Sequence, residues 1–164
     1  MIHKFRKYLN KYYGLFLIRG YIPPKPISLN IFTTRRCNFS CNYCSRNLSI
    51  NSSVFEGESI LKSDFKIEGL KKILIKYPSI RSVSFVGVGE PFLVKDIIEM
   101  ASLAKKSGKK TSVVTNGSLL HRYFGQIGAS FDSISVSLHG LNPDDFSKTT
   151  GVDSLVFKQI EKNM

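Results

Sequence analysis

Residues 37–44 read Cys-Asn-Phe-Ser-Cys-Asn-Tyr-Cys, and they contain all three cysteines of a chain of 164 residues. This run directly follows an apolar stretch at 27–34 that has the pattern of a strand. Thiols clustered this tightly indicate a metal centre and not a disulfide framework. Three thiolates are one short of a closed tetrahedral or four-iron site, and sites that do chemistry keep one position open. The run therefore predicts a reactive metal centre at the end of a strand.

Strand and helix patterns alternate along the chain on both sides of this run. The pattern predicts strands at 27–34, 81–86, 110–115 and 132–138, and helices at 63–77, 94–107, 118–127 and 154–163. Such alternation implies parallel strands with right-handed crossovers, whose ligands bind at the carboxyl ends of the strands. The polar and glycine-rich turns that follow the four strands should therefore meet the cysteine run at one edge of the sheet.

Length and composition are those of one globular unit, with 42% hydrophobic residues and 24 Lys plus Arg against 12 Asp plus Glu. Besides a soluble basic protein, this charge favours a polyanion or a membrane surface as partner. Residues 1–26 are interpreted as a basic amphipathic helix at 3–19 and a proline-rich connector, and residues 27–164 as the core. The short apolar stretch at 13–18 and the cysteine usage predict a cytoplasmic protein.

The cysteine spacing, with Tyr43 just before the third cysteine, resembles that of the radical S-adenosylmethionine superfamily. The resemblance implies that Cys37, Cys41 and Cys44 bind three irons of a 4Fe-4S cluster, whose fourth iron is chelated by S-adenosylmethionine. It also implies a reductant such as a ferredoxin or flavodoxin, and a 5'-deoxyadenosyl radical that abstracts hydrogen from a substrate. The fold implied is α/β, a parallel-stranded partial (βα) barrel of the radical SAM type, truncated to about four βα units.

Three further motifs match the same family at the ends of the later strands. The run 85–91 is similar to its glycine-glycine-glutamate element, and the resemblance implies that Gly87, Gly89 and Glu90 hold the methionyl amino group. The turn at 115–117 implies a cofactor contact by Asn116, although a helix cap is the ordinary role of such an asparagine. For the turn after the fourth strand, the resemblance implies that Ser137 and His139 contact the ribose or carboxylate of the cofactor. The alternative for His139 is an ordinary residue of a surface turn. Tyr43 completes the predicted cofactor contacts, and no side chain is predicted to be catalytic.

The residues beside these motifs predict less. Arg35, Arg36 and Arg46 flank the cysteines and either offset the charge of the cluster, engage a carboxylate or are solvated. His121 is interpreted as scaffold, and the run 151–154 as the cap of the last helix.

Several alternatives remain open from the sequence. One is a structural zinc site completed by His3 or His139. A second is a non-catalytic metal-binding module, with zinc or an iron-sulfur cluster, that binds nucleic acid through its basic face. Another is peripheral membrane contact through the helix at 3–19. The substrate, a peptide or a small molecule, cannot be read from the residues. Since the family core usually has six βα units, we expect either an inactive fragment or a partner chain that supplies the rest.

Overall fold

The computed structural model describes residues 25–45 and 63–164. Its four strands form one parallel sheet in chain order, and they are β1 (Ser28–Phe32), β2 (Ser82–Val86), β3 (Lys110–Thr115) and β4 (Ser133–Val136). The helices are α1 (Ile67–Lys76), α2 (Ile97–Lys106), α3 (Phe124–Ser130), α4 (Pro143–Thr150) and α5 (Ser154–Asn163). The predicted α/β fold with a parallel partial barrel is confirmed. The helix predicted at 3–19, His3 and Arg46 lie outside the described residues.

One face of the sheet is apolar and supports the helices. Val83 and Phe85 of β2 and Val113 of β3 are at most 1% exposed, and they pack in one cluster with Ile97 and Met100 of α2. Side chains alternate between the two faces of a strand, so these buried positions are separated by residues that point the other way. The core therefore lies between the sheet and its helices.

The opposite face of the sheet carries polar side chains. The register aligns Asn30, Ser84, Ser112 and Ser133 in one row across all four strands. The hydroxyls of Ser84 and Ser112 are 2.8 Å apart and hydrogen-bonded to each other. This face is thus lined with small hydrogen-bonding groups where the other face is packed with hydrocarbon.

Two helical segments differ from the prediction. The predicted helix at 118–127 is a 3₁₀ turn (Leu120–Tyr123) followed by α3, and α4 was not predicted at all. Local signals for α4 are present in the sequence. Asn142 caps the first turn by accepting from the amide of Asp145, Pro143 occupies the first helical position, and Gly151 ends the helix with φ of 69°. Apolar periodicity does not predict the short polar run between them, because Phe146 is its one buried apolar residue. None of the helices in the described ranges is long and apolar enough to cross a membrane.

Candidate metal centre

The cysteine loop is held by backbone hydrogen bonds on two sides. On one side, the amide of Gly89 donates to the carbonyl of Thr34 at 3.0 Å, and that of Glu90 to Arg36 at 2.8 Å. On the other side, loop amides donate to the last carbonyls of α4, Ser40 to Thr150 at 2.9 Å and Asn42 to Thr149 at 3.0 Å. The last carbonyls of a helix have no partner within it, so α4 offers them to the loop.

Phe39 anchors the middle of the loop in a small second core. It is 3% exposed and packs edge-on against Phe146 of α4, with ring centroids 5.7 Å apart. Phe157 and Ile160 of α5 complete this core, and Cys37 packs at its margin together with Cys41. The apolar residue between the first two cysteines therefore fixes where the thiols lie.

The three cysteines are half-buried and are not joined by disulfides. A turn joins two of them, in which the amide of Cys44 donates to the carbonyl of Cys41 at 3.1 Å. The cysteines surround Tyr43. Burial, a hydrogen bond with Cys41 and the charges of all three thiolates raise the pKa of Tyr43 to about 12. The phenol of Tyr43 therefore stays neutral beside them.

A single metal ion and an iron-sulfur cluster place different requirements on the three thiols. Zinc requires its sulfur ligands to converge at about 2.3 Å on one point. Within residues 25–45 and 63–164, no three His, Cys, Asp or Glu side chains are grouped to hold a metal ion. In a four-iron cluster each thiolate binds a different iron, so the sulfurs stand further apart. Three thiolates in one loop are a donor set that fits a cluster with one iron left open.

Glu90 joins the second and third strand ends inside the protein. It is 2% exposed, and its carboxylate accepts hydrogen bonds from the Thr115 hydroxyl at 2.7 Å and from the amides of Asn116 and Phe92 at 2.8 and 3.0 Å. Burial raises the pKa of Glu90, although these hydrogen bonds act to lower it. Since three internal donors occupy the carboxylate, its visible role is to hold the turns together, and its predicted contact with the cofactor stays a prediction.

The glycines of the same turn allow backbone to approach backbone. A side chain at Gly89 would place its Cβ atom 2.1 Å from the carbonyl oxygen of Arg36, and one at Gly87 would place it 2.7 Å from that of Gly89. The structure thus supplies an intramolecular reason for glycine at both positions: at Gly89 the turn lies directly against the cysteine loop, and at Gly87 the turn folds back onto its own backbone. Their predicted contact with the cofactor is untested by this geometry.

Asn116 lies beside the first cysteine, as its predicted place at the site requires. It is 8% exposed, and its side-chain nitrogen is 3.9 Å from Sγ of Cys37 and 2.9 Å from Oδ1 of Asn38. Its own Oδ1 accepts from the amide of Ser118 at 3.0 Å, two residues along the chain. The sequence pattern did not single out Asn38 or Ser118, because Asn38 fills a position between the cysteines and Ser118 follows the turn at 115–117.

The fourth strand end brings His139 to the cysteine loop. Its ring lies 5.3 Å from that of Tyr43, measured between centroids, and burial lowers the pKa of His139. Ser137 is tied to the neighbouring strand end, since its amide donates to the carbonyl of Thr115 at 2.8 Å. The predicted site residues of all four strand ends therefore meet at one edge of the sheet.

Arg36 engages a carboxylate of the protein itself. Its guanidinium donates to both oxygens of Asp64, at 3.2 and 2.6 Å, and to the carbonyl of Leu93 at 3.0 Å. Thr34 donates to the same carboxylate at 2.7 Å. Of the roles considered for Arg36, the structure shows the carboxylate contact, and its partner Asp64 could not be foreseen because it lies 28 residues away. Elsewhere, Asp153 caps α5 by accepting from the amide of Leu155 at 2.7 Å, which confirms the cap predicted within 151–154.

The family model described as "Radical SAM superfamily" matches residues 31–164. The chain is 36% identical over 129 residues to a probable GTP 3',8-cyclase of Sulfolobus acidocaldarius, covering 77% of this chain and 39% of that protein. It is 34% identical over 137 residues to a probable GTP 3',8-cyclase of Thermococcus kodakarensis, covering 80% of this chain and 41% of that protein. The chain thus spans about two fifths of the length of these curated relatives.

Solved structures with a similar fold have low sequence identity. SuiB of Streptococcus suis matches with a TM-score of 0.61 at 17% identity, covering 98% of this chain and 40% of SuiB. SuiB bound to S-adenosylmethionine matches with a TM-score of 0.57 at 20% identity, covering 84% of this chain and 29% of that one. TYW1 with a lysine-pyruvate adduct matches with a TM-score of 0.53 at 16% identity, covering 85% and 48%. These likenesses show the fold.

Proposed function

Since the chain belongs to the radical S-adenosylmethionine superfamily, we propose that its core forms the cluster- and cofactor-binding part of a radical enzyme. Enzymes of this family use a 4Fe-4S cluster and S-adenosylmethionine. When bound, these groups supply a 5'-deoxyadenosyl radical that abstracts hydrogen from a substrate. The observation that carries the proposal is the cysteine loop, fixed between the turn at Glu90 and the end of α4.

The proposed ligands of the cluster are the thiolates of Cys37, Cys41 and Cys44. Phe39 and the two sets of backbone hydrogen bonds hold the loop that carries these thiols. A loop fixed in this way loses little further entropy when a ligand binds.

The proposed cofactor contacts lie around the cysteines. Tyr43 and His139 stand as a neighbouring ring pair beside the loop, and Tyr43 is 51% exposed, so its ring is accessible to an adenosyl group. The backbone of Gly87 and the hydroxyl of Ser137 lie on the adjoining turns as candidates for the polar groups of the cofactor. Glu90 contributes by holding these turns, with its three internal hydrogen bonds.

We further propose a polar small molecule as substrate, with a purine nucleotide such as GTP as the first candidate. The support is twofold: several relatives are named as probable GTP 3',8-cyclases, and the open face of the sheet carries the row of Asn30, Ser84, Ser112 and Ser133. Towards the strand ends on that face, Phe32 is 68% exposed and Val114 is 41% exposed. Hydroxyls suit the polar edges of such a molecule, and exposed apolar side chains suit its ring.

Radical enzymes of this family need a reductant and a substrate, and a ferredoxin or flavodoxin is the proposed reductant here. Contacts with nucleic acid, a membrane surface or a partner chain stay predictions. The division of the chain into residues 1–26 and 27–164 also stays a prediction.

The first experiment is anaerobic reconstitution of the chain with iron and sulfide, followed by electron paramagnetic resonance of the reduced protein. We expect a four-iron signal whose line shape changes when S-adenosylmethionine is added. The Cys41→Ser variant should lose the signal, whereas Asn42→Ala, a change within the same loop, should keep it. Stoichiometric zinc with no iron bound would overturn the proposal.

The second experiment tests the substrate. Formation of 5'-deoxyadenosine by the reduced, reconstituted protein is measured with GTP, with ATP and with no nucleotide. We expect GTP to increase the yield several-fold over both of the others. The same yield of 5'-deoxyadenosine with GTP, with ATP and without nucleotide would overturn the nucleotide assignment and leave the cluster assignment standing.

A further inference from the structure

Three side chains beside the first cysteine form a closed ring of hydrogen bonds. Nδ2 of Asn116 donates to Oδ1 of Asn38 at 2.9 Å, and Nδ2 of Asn38 donates to the hydroxyl of Ser118 at 2.9 Å. The hydroxyl of Ser118 then donates back to Oδ1 of Asn116 at 2.7 Å. Each member donates once and accepts once around the ring, an arrangement in which the bonds polarise one another in the same sense.

The ring joins the cysteine loop to the end of β3. Asn38 belongs to the loop, whereas Asn116 and Ser118 belong to the turn after β3 and are 8% and 7% exposed. Glu90 also holds this turn, because its carboxylate accepts a hydrogen bond from the amide of Asn116 at 2.8 Å. The asparagine is therefore fixed through both its backbone and its side chain.

The position of Asn116 leaves one amide hydrogen for the first cysteine. A primary amide has two donor hydrogens and an oxygen with two lone pairs. Its Nδ2 uses one hydrogen on Asn38 and faces Sγ of Cys37 at 3.9 Å with the other, while its Oδ1 accepts from both the amide and the hydroxyl of Ser118. All hydrogen-bonding capacity of this side chain is thus used within the protein.

We propose that Asn38 and Ser118 are positioning residues that hold the Asn116 amide as a hydrogen-bond donor to the Cys37 thiolate, so that this donor raises the reduction potential of the bound cluster. The inference rests on the proposed function, and it replaces the predicted cofactor contact of Asn116 with a contact to a cluster ligand. Hydrogen bonds to the sulfurs are among the factors that set the potential of an iron-sulfur cluster. A donor stabilises the more negative, reduced state more than the oxidised one, so its loss lowers the potential.

The test measures the midpoint potential of the reconstituted protein by a redox titration followed by electron paramagnetic resonance. The variants are Asn38→Ala and Ser118→Ala, with Asn42→Ala as the control because Asn42 is an exposed asparagine of the same loop outside the ring. We expect the first two variants to shift the potential to more negative values and the control to leave it at the wild-type value.

A double variant separates the ring from independent effects. If Asn38 and Ser118 act through one ring, the double change should shift the potential by about as much as either single change, because each alone breaks the ring. Additive shifts would contradict the ring. Side-chain amide hydrogen exchange of Asn116, measured by nuclear magnetic resonance on iron-free protein, should also be faster in Asn38→Ala than in Asn42→Ala.

The possible failures are distinguishable. Potentials that are equal in wild type, Asn38→Ala and Asn42→Ala, with the cluster and its response to S-adenosylmethionine intact, would overturn this inference and leave the proposed function standing. Failure of the wild-type chain to build a cluster would overturn the proposed function, and this inference with it.

Discussion

At the scale of single residues, Glu90 shows how a buried charge organises the site. Its carboxylate joins two strand ends through three hydrogen bonds, one of them from the amide that positions Asn116. A buried carboxylate is costly unless it is well paired, and here each donor that it pairs belongs to a turn at the site. The hydrogen bonds that offset the cost of burying Glu90 thus also fix the turn that carries Asn116 beside the cysteines.

Glu90→Gln is expected to destabilise the iron-free protein by about 1–3 kcal/mol, because the amide that replaces one oxygen turns a donor towards a donor. Burial raises the pKa of Glu90 above its usual 4.5, so the folded protein binds this proton more tightly than the unfolded chain. That stabilisation is present below 4.5 and is lost as the pH rises through the raised value. The stability advantage of wild type over the variant should therefore shrink towards neutral pH, measured by urea unfolding. An advantage that grows with pH would contradict the assignment.

Gly89 is the residue whose substitution should disturb the loop most directly. In Gly89→Ala the new Cβ would lie 2.1 Å from the carbonyl oxygen of Arg36, so the turn and the cysteine loop must separate. We expect a loss of about 1–3 kcal/mol or more in the free energy of unfolding, together with reduced iron incorporation. The control is Gly128→Ala in α3, where no atom lies within 4 Å of the added carbon and where alanine should stabilise the helix by about 0.5–1 kcal/mol. Equal effects of the two changes would contradict the close approach.

At the scale of secondary-structure elements, α4 supports the cysteine loop. Its last carbonyls accept two loop amides, and its Phe146, which is fully buried, packs against both Phe39 and Phe157. The loop is therefore attached to α4 and α5 as well as to the sheet, although it follows β1 in the chain. A loop that is held by later elements cannot take its final form until those elements have packed.

Phe146→Ala is expected to lower the free energy of unfolding by about 3–5 kcal/mol, because it leaves a cavity beneath the loop. We expect lower iron content per chain under matched reconstitution, because the loop loses the ring against which Phe39 packs. Leu155→Ala in α5, a residue that is 67% exposed, is the control and should change stability by no more than about 0.5 kcal/mol. Iron content and urea unfolding are measured for both variants. Wild-type iron content in Phe146→Ala would show that the loop keeps its form without the contact to α4.

At the scale of the whole molecule, the parallel sheet brings the four strand ends together and separates its two faces. The core covers one face, and the other face presents the polar row that begins at Asn30, together with the exposed side chain of Phe32. The second core under the cysteine loop ties the last two helices to the first strand end. A ligand at this edge would therefore lie beside the turns that follow all four described strands.

Cluster loading should stabilise the whole fold, because a ligand that binds only the folded state shifts unfolding by mass action. We expect the thermal unfolding midpoint of the anaerobically reconstituted chain to lie several degrees above that of the iron-free chain. The Cys41→Ser variant, treated in the same way, should show no such rise. Identical midpoints for loaded and iron-free wild type would indicate that the cluster binds the unfolded chain as well as the folded one.

The sequence by itself determined the four strands, most of the helices between them and the parallel sheet, and it predicts metal ligation by the cysteine run, because periodicity and close spacing are local properties. It also placed Tyr43, Asn116 and His139 at one edge, because parallel strands end together. Only the tertiary structure decided which groups touch. Asp64 as the partner of Arg36, Glu90 as an internal acceptor and the ring through Asn38 and Ser118 join residues 25 to 80 positions apart. No pattern along the chain encodes such pairs, since each depends on the distance between side chains after the core has packed.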